Sequence, residues 1–339
     1  MYRDFFGLRE RPFDLTPNPR YLVLLDAHRE ALSNLTYGIA ARKGVTLLIG
    51  EAGTGKTTLI RTALERQPER SHAVHIQNPA LTRAEFVEML AARFGLDAEA
   101  RRSKAAMLLQ LEAILHERNR RGESTVLIID EAQSVPLELL EEIRLLANIE
   151  TPQEKLLSVV LAGQPELVPR LNDEALRQLK QRVALRCELR TLTLNESFAY
   201  VAGRIRSAGG TGATLFTREA VALLHERSRG IPRTISVLAD NALLSGFALG
   251  VKPVTAAVIQ EVCRDFDIGG ATPPASVEPE DKPAVAPTPT PAAAPAPDRA
   301  HVLTFEKPHP QSAADDPADD ETGALFGGMY PKRRRFLFF

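Results

Sequence analysis

Two rhythms of apolar residues alternate along the first 268 residues of this chain. Short unbroken runs, VTLLI at 45–49, HAVHIQ at 72–77, TVLIID at 125–130 and LSVVLA at 157–162, have the length and β-branched content of strands. Between them, residues 83–94, the set Met107, Leu108, Leu111, Ile114 and Leu115, and residues 137–149 repeat apolar positions at helical spacing. Strands without a polar face, each separated by a helix, predict an α/β fold: a parallel sheet flanked by helices. From residue 172, NDEALRQLKQRVALR reads as a basic helix. Beyond Leu194 the pattern is purely helical, over 198–207, 217–228, 232–249 and 255–266, with loops at Gly209-Gly210, Gly230 and Pro253. Thr217 suits a helix cap and Pro232 a first helical turn, so a small all-α domain is expected beside the sheet.

Chemistry concentrates where the first strand run ends. Residues 50–57 read GEAGTGKT, followed by Thr58 and then Leu59, Ile60, Ala63 and Leu64 at helical spacing. This is a nucleotide-phosphate loop in the strand-to-helix context that gives the motif meaning. A helix N-terminus offers unpaired N–H groups and the positive end of a dipole to a triphosphate, ATP or GTP. Gly50, Gly53 and Gly55 let the backbone wrap the phosphates, with Glu51, Ala52 and Thr54 completing the cradle. Lys56 is placed to reach the β- and γ-phosphates, and Thr57 to offer its hydroxyl to a hydrated Mg²⁺.

In parallel sheets ligands sit at the carboxyl ends of the strands. The run TVLIID ends there in Asp130, followed by Glu131. Asp130 is expected to hold the magnesium through water and Glu131 to polarise the water that attacks the γ-phosphate. Gln164, after LSVVLAG, either touches the γ-phosphate or is a turn amide. Arg177, Lys180, Arg182 and Arg186 form either a solvated basic face or the source of an arginine that enters a neighbouring subunit's site, Arg182 first and Arg177 second.

Composition removes other classes. With 42 basic and 43 acidic residues, the chain of 339 has no global pull toward nucleic acid or membrane. Two cysteines and seven histidines show no metal-type spacing. The opening MYRDFFGLRERPF carries charge throughout, and no run approaches the roughly 20 apolar residues of a spanning helix, so a cytoplasmic location is expected. Residues 269–339 hold 13 of the 24 prolines and few large apolar side chains, the composition of a disordered Pro/Ala-rich tail. It ends in KRRRFLFF, 332–339, which reads as a contact for anionic lipid, a docking peptide or a chance ending.

GEAGTGKTT, LIIDEAQ, LAGQPEL, LRQLKQR and SRGIPR, in that order, resemble the AAA+ ATPases. The opening MYRDFFGLRERPFDLTPNPRYLVLLDAHREALSNLTYGI is similar to the start of the general secretion pathway protein A type, which includes ATPases of exosortase loci. The resemblance covers nearly all of residues 1–268. It implies a family-specific segment at 1–44 packing on the core, a nucleotide-binding core at 45–190 with its Walker A loop and Walker B acids, and a helical lid at 191–268. It also implies that Gln164 is the first sensor, although many AAA+ proteins carry Asn or Thr there, and that Arg233 of GIPR is the second, reaching from the lid to the γ-phosphate. Secretion-branch relatives can continue into a membrane span, whereas this sequence runs into the proline-rich tail. The function expected is Mg²⁺-dependent ATP hydrolysis by a homo-oligomer that drives a secretion or envelope-assembly partner, with peripheral contact at the inner membrane through the tail. Two other readings are a DNA-associated regulator, similar to transposition target-selection ATPases, and a nucleotide-gated scaffold.

Overall fold

The computed structural model describes residues 1–15, 21, 23–77, 80–211 and 215–267; the expected tail at 269–339, with its KRRRFLFF ending, lies outside the described residues. Helices α1 (Tyr2–Phe6) and α2 (Asp26–Ala40) precede β1 (Val45–Gly50). They are followed by α3 (Lys56–Glu65), β2 (Ser71–Ile76), α4 (Arg83–Phe94), α5 (Ala98–Arg102), α6 (Lys104–Arg120) and β3 (Ser124–Ile129). Next come α7 (Leu137–Leu146), β4 (Ser158–Gly163), α8 (Leu167–Leu171), α9 (Arg177–Lys180) and β5 (Val183–Leu189). The chain then runs through α10 (Leu194–Ser207), α11 (Arg218–Ser228), α12 (Pro232–Leu249) and α13 (Ala256–Asp265).

The five strands form one parallel sheet in the order β2-β3-β4-β1-β5. Alternate residues of each central strand serve opposite layers, which is why these strands are apolar without interruption. Val45, Leu47, Ile49, Leu127, Ile129, Val159 and Leu161 pack with α4, α6 and α7. Leu48, Val126, Ile128, Val160 and Ala162 pack on the other side with α2 and α3. Local chemistry sets the helix ends: Thr82 and Glu85 form a reciprocal cap on α4, Thr193 and Glu196 do the same on α10, and Thr217 caps α11. Pro232 occupies the first turn of α12.

The basic helix expected from residue 172 is replaced by three short pieces. A 3₁₀ turn at Glu174–Leu176 leads into the single turn of α9, and the chain then becomes the edge strand β5. In β5, Cys187 and Leu189 are buried while Ala184, Arg186 and Glu188 face solvent. A period-2 pattern this short, preceded by strong helix formers, is masked in a helical reading.

Residues 1–44, expected to pack on the nucleotide core, divide between two partners. Helix α2 lies on the sheet. The earlier part straps the helical lid: Tyr2, Phe6, Leu8 and Phe13 share one apolar cluster with Ile205, Leu224, Leu238, Val254 and Ile259. Phe5 meets Phe247 edge-on at 5.6 Å, and Phe13 meets Phe216 at 6.1 Å. Tyr2 donates to Asp240 at 2.6 Å, and the N–H of Arg9 donates to the Ala208 carbonyl at 2.9 Å. Buried Arg204 of α10 then donates to the carbonyls of Pro12 (2.5 Å) and Asp14 (2.8 Å), fixing the strap where it leaves the lid.

Candidate nucleotide site

The loop between β1 and α3 keeps its own shape through short-range bonds. The Thr54 N–H and hydroxyl both donate to the Glu51 carbonyl, at 3.2 and 2.8 Å. Lys56 is buried, and its ammonium donates to the carbonyls of Gly50 (2.7 Å) and Glu51 (3.1 Å). Burial pushes that ammonium below its ordinary pKa, against the opposing pull of Glu131, Asp130 and Glu51. Gly55 caps α3 in the left-handed region with no side-chain bond to the first turn, so the N–H groups there are available to an anion. Gly53 also has a positive φ of 83°, and a Cβ on it would stand 2.7 Å from Cβ of Arg233. The lid comes that close because the Arg233 N–H donates to the Gly53 carbonyl at 3.1 Å.

At the ends of β1 and β3 the hydroxyl of Thr57 donates to Asp130 Oδ2 at 2.8 Å. His75 of β2 lies 3.8 Å from the same oxygen, and the N–H of Glu131 donates to Asp130 Oδ1 at 3.0 Å. Burial alone would raise the Asp130 carboxyl, but these three groups together hold it below the usual carboxylate range. It therefore stays charged. A hydroxyl beside an ionised carboxylate fits Mg²⁺, a hard cation that takes few protein ligands and completes its shell with phosphate oxygens and water. Among the described residues no group of three or more His, Cys, Asp or Glu could hold a metal by itself.

Glu131 follows with φ 52°, a left-handed conformation that costs about 1–3 kcal/mol in a residue with a side chain. Its Oε2 accepts from Gln133 at 2.7 Å and from Gln164 at 3.3 Å. Gln164 thus touches Glu131.

One cavity joins these parts. Gly53, Thr54, Gly55, Lys56, Thr57, Thr58 and Glu131 line it from the sheet side, and Tyr200, Arg204, Pro232, Arg233 and Ser236 from the lid. Asp14, Leu15, Tyr21 and Val23, where the strap crosses to α2, close a third wall, and His28 of α2 a fourth. Gly50, the buried last residue of β1, and exposed Glu51 and Ala52 precede the lining part of the loop, and Asp130 is reached through Thr57. Arg182 is placed elsewhere: its carbonyl accepts from the N–H of Val45, the first residue of β1, while the phosphate loop follows the last. Six strand residues separate these ends by roughly 17–20 Å.

Several wall residues escaped the sequence reading. His28 is buried, with its Nε2 donating to the Thr54 carbonyl at 3.2 Å, and burial pushes its imidazole down, so the ring is neutral near pH 7. It lies in no nucleotide motif. Tyr200 and Arg204 are four apart on α10, a spacing that puts both on one helix face, and the Arg204 guanidinium sits 4.9 Å from the Tyr21 ring.

Fold and site together define a P-loop nucleotide-binding protein of the AAA+ class. Residues 39–171 match the family model described as AAA domain. The chain belongs to the AAA+ proteins of the general secretion pathway protein A type. It is 41% identical over 253 residues to General secretion pathway protein A of Aeromonas hydrophila, covering 74% of this chain and 46% of that protein. It thus spans about half the length of that relative. Its fold is similar to that of the ORC2 protein of Aeropyrum pernix, with a TM-score of 0.57, 16% identity, and coverage of 76% of this chain and 71% of the other. It is also similar to Cdc6p from Pyrobaculum aerophilum, with a TM-score of 0.53, 14% identity, and coverage of 78% and 70%. At these identities the likeness is one of fold alone.

Proposed function

We propose that the protein is a Mg²⁺-dependent ATPase that serves as motor or switch for a secretion or envelope-assembly complex. The observation that carries this reading is the single cavity where Lys56, Thr57 and Glu131 of the sheet meet Arg233 of the lid. Lys56 and the N–H groups of the loop hold the phosphates, and Thr57 and Asp130 hold the cation. When bound, Mg²⁺ neutralises charge that develops on the transferred phosphoryl group. Glu131 accepts the proton of the attacking water, and Gln164 and Arg233 sense the terminal phosphate from the sheet and from the lid. Because the lid rests on the phosphate loop through Arg233 and Gly53, gain or loss of that phosphate favours different lid positions.

The distance of Arg182 from its own cavity supports an arginine offered to a neighbouring subunit, and hence a homo-oligomer. Secretion as the setting rests on the 41% identity to General secretion pathway protein A. No helix among the described residues is long and apolar enough to cross a membrane; contact with the inner membrane is proposed through the basic and apolar residues 332–339.

The test is ATP turnover with and without Mg²⁺, beside two variants. Lys56→Ala is expected to lose nucleotide binding, and Glu131→Gln to keep binding and lose turnover. Equal loss of binding in both would overturn the assigned roles. For the setting, a host strain lacking the protein is expected to fail in assembling its secretion complex, and normal assembly would remove that part of the reading.

A further inference from the structure

The acid that follows Asp130 is gripped more firmly than its motif requires. Gln133, in the 3₁₀ turn Ala132–Ser134, donates from Nε2 to Glu131 Oε2 at 2.7 Å. The orientation of this amide is fixed, because its Oε1 accepts from the backbone N–H of Gln164 at 3.0 Å and an N–H can only donate. Gln164 Nε2 returns to the same Glu131 oxygen at 3.3 Å and closes a ring of three residues between the ends of β3 and β4. The turn itself is braced: the guanidinium of Arg170 donates to the carbonyl of Gln133 and, at 2.7 Å, to that of Val135. The end of β4 is shaped around the amide as well. A Cβ on Gly163 would stand 3.0 Å from Gln133 Oε1 and 3.3 Å from its backbone nitrogen.

Among the described residues both donors fall on Oε2 of Glu131, a residue that lines the cavity, which leaves Oε1 to accept a proton. A charged acceptor with one oxygen tied by two amides is fixed in rotation, and fixed geometry is where a general base gains most. We infer that Gln133 is a positioning residue of the hydrolytic site: it anchors one oxygen of Glu131, aims the other at the attacking water, and links Glu131 to Gln164. Any shift of Gln164 on meeting a terminal phosphate is then passed to Glu131 both directly and through Gln133. This inference rests on the reading of Glu131 as the base.

The test compares wild type, Gln133→Met and Gln133→Glu in steady-state ATP hydrolysis, in binding of a fluorescent ATP analogue, and in thermal melting. Gln133→Met removes both amide bonds at similar volume. Gln133→Glu keeps the acceptor for the Gln164 N–H, loses the donor to Glu131 and sets a second carboxylate against it. Both are expected to lower kcat roughly 10- to 100-fold, with analogue affinity within twofold and, for Gln133→Met, melting within about 2–4 °C of wild type. Gln164→Met added to Gln133→Met is expected to cost less than it does alone, because the ring is already open. A kcat that is unchanged or raised overturns the inference, as does a loss that parallels weaker binding or earlier melting. Absence of turnover in wild type removes the ATPase reading and this inference together, whereas wild-type turnover that the Gln133 variants retain removes this inference alone.

Discussion

The N–H of Arg233 donates to the carbonyl of Gly53 at 3.1 Å, so the lid bears directly on the phosphate loop. Gly53 tolerates this contact because it carries no Cβ and because its φ of 83° suits glycine. Gly53→Ala is therefore expected to weaken ATP binding by about tenfold or more, from backbone strain of about 1–2 kcal/mol and displacement of Arg233. Equilibrium binding of a fluorescent analogue measures it. Affinity equal to wild type would show that the close approach is unimportant.

Lys56 lies buried, with its charge disfavoured, so the nucleotide-free protein bears a cost that is recovered when phosphate arrives. Its pKa is depressed, so the unfolded chain binds the proton more readily and this cost eases as pH rises. Lys56→Met removes the charge at similar volume. The variant is expected to melt no earlier than wild type without nucleotide, and to lack the upward shift in melting that ATP is expected to give wild type. Differential scanning fluorimetry with and without ATP reads both.

Arg182 immediately precedes the edge strand, at the end remote from its own cavity. If it serves a neighbour, Arg182→Ala keeps ATP binding and loses at least tenfold in turnover. Mixing it with Lys56→Ala, whose arginine is intact, is expected to restore part of the activity through hybrid contacts. A mixture no more active than the sum of its components would exclude a role in trans.

Where the sheet hands over to the lid, Glu196 caps α10 and pairs with Arg190 at 2.7 Å. The Arg190 guanidinium and the Thr193 hydroxyl and N–H pull the carboxyl from 4.5 to about 2. With a depressed carboxyl pKa, the stabilisation is present above about 4.5 and lost as pH falls toward about 2. Wild type is thus expected to lose more melting temperature between pH 5 and pH 3 than Glu196→Gln does, a comparison made by scanning calorimetry. Equal losses would show that the pair is immaterial.

Much of this was legible in the sequence because it is local. The phosphate loop carries its chemistry within eight consecutive residues, and strands buried on both faces, such as β1 and β4, advertise themselves as unbroken apolar runs. β5 was misread because one of its faces is solvated and its four inward residues follow a stretch of helix formers. The ring of Glu131, Gln133 and Gln164 spans 33 positions and exists only once β3 and β4 lie side by side. The home of the opening strap was the hardest to foresee, since its partners come some 200 residues later.

Phe13 gives that strap a direct test. It is 1% exposed and packs on Phe216 without lining the cavity. Phe13→Ala is expected to cost about 3–5 kcal/mol of stability and to weaken ATP binding, since the strap leads into the cavity wall at Asp14 and Leu15. Chemical denaturation and analogue binding check the two effects. Full stability in the variant would show that the strap is dispensable to the lid.

The strap also decides what an experimenter holds when gripping this protein by its first residue. Met1 is 88% exposed, yet the residues that follow it are riveted into the lid. A dye or spin label at that terminus reports the position of the lid. Paired with a second probe at an exposed site of the sheet-bearing core, such as Leu109 of α6, it becomes a ruler for any motion of the two parts that nucleotide brings about, and it leaves every residue of the cavity untouched.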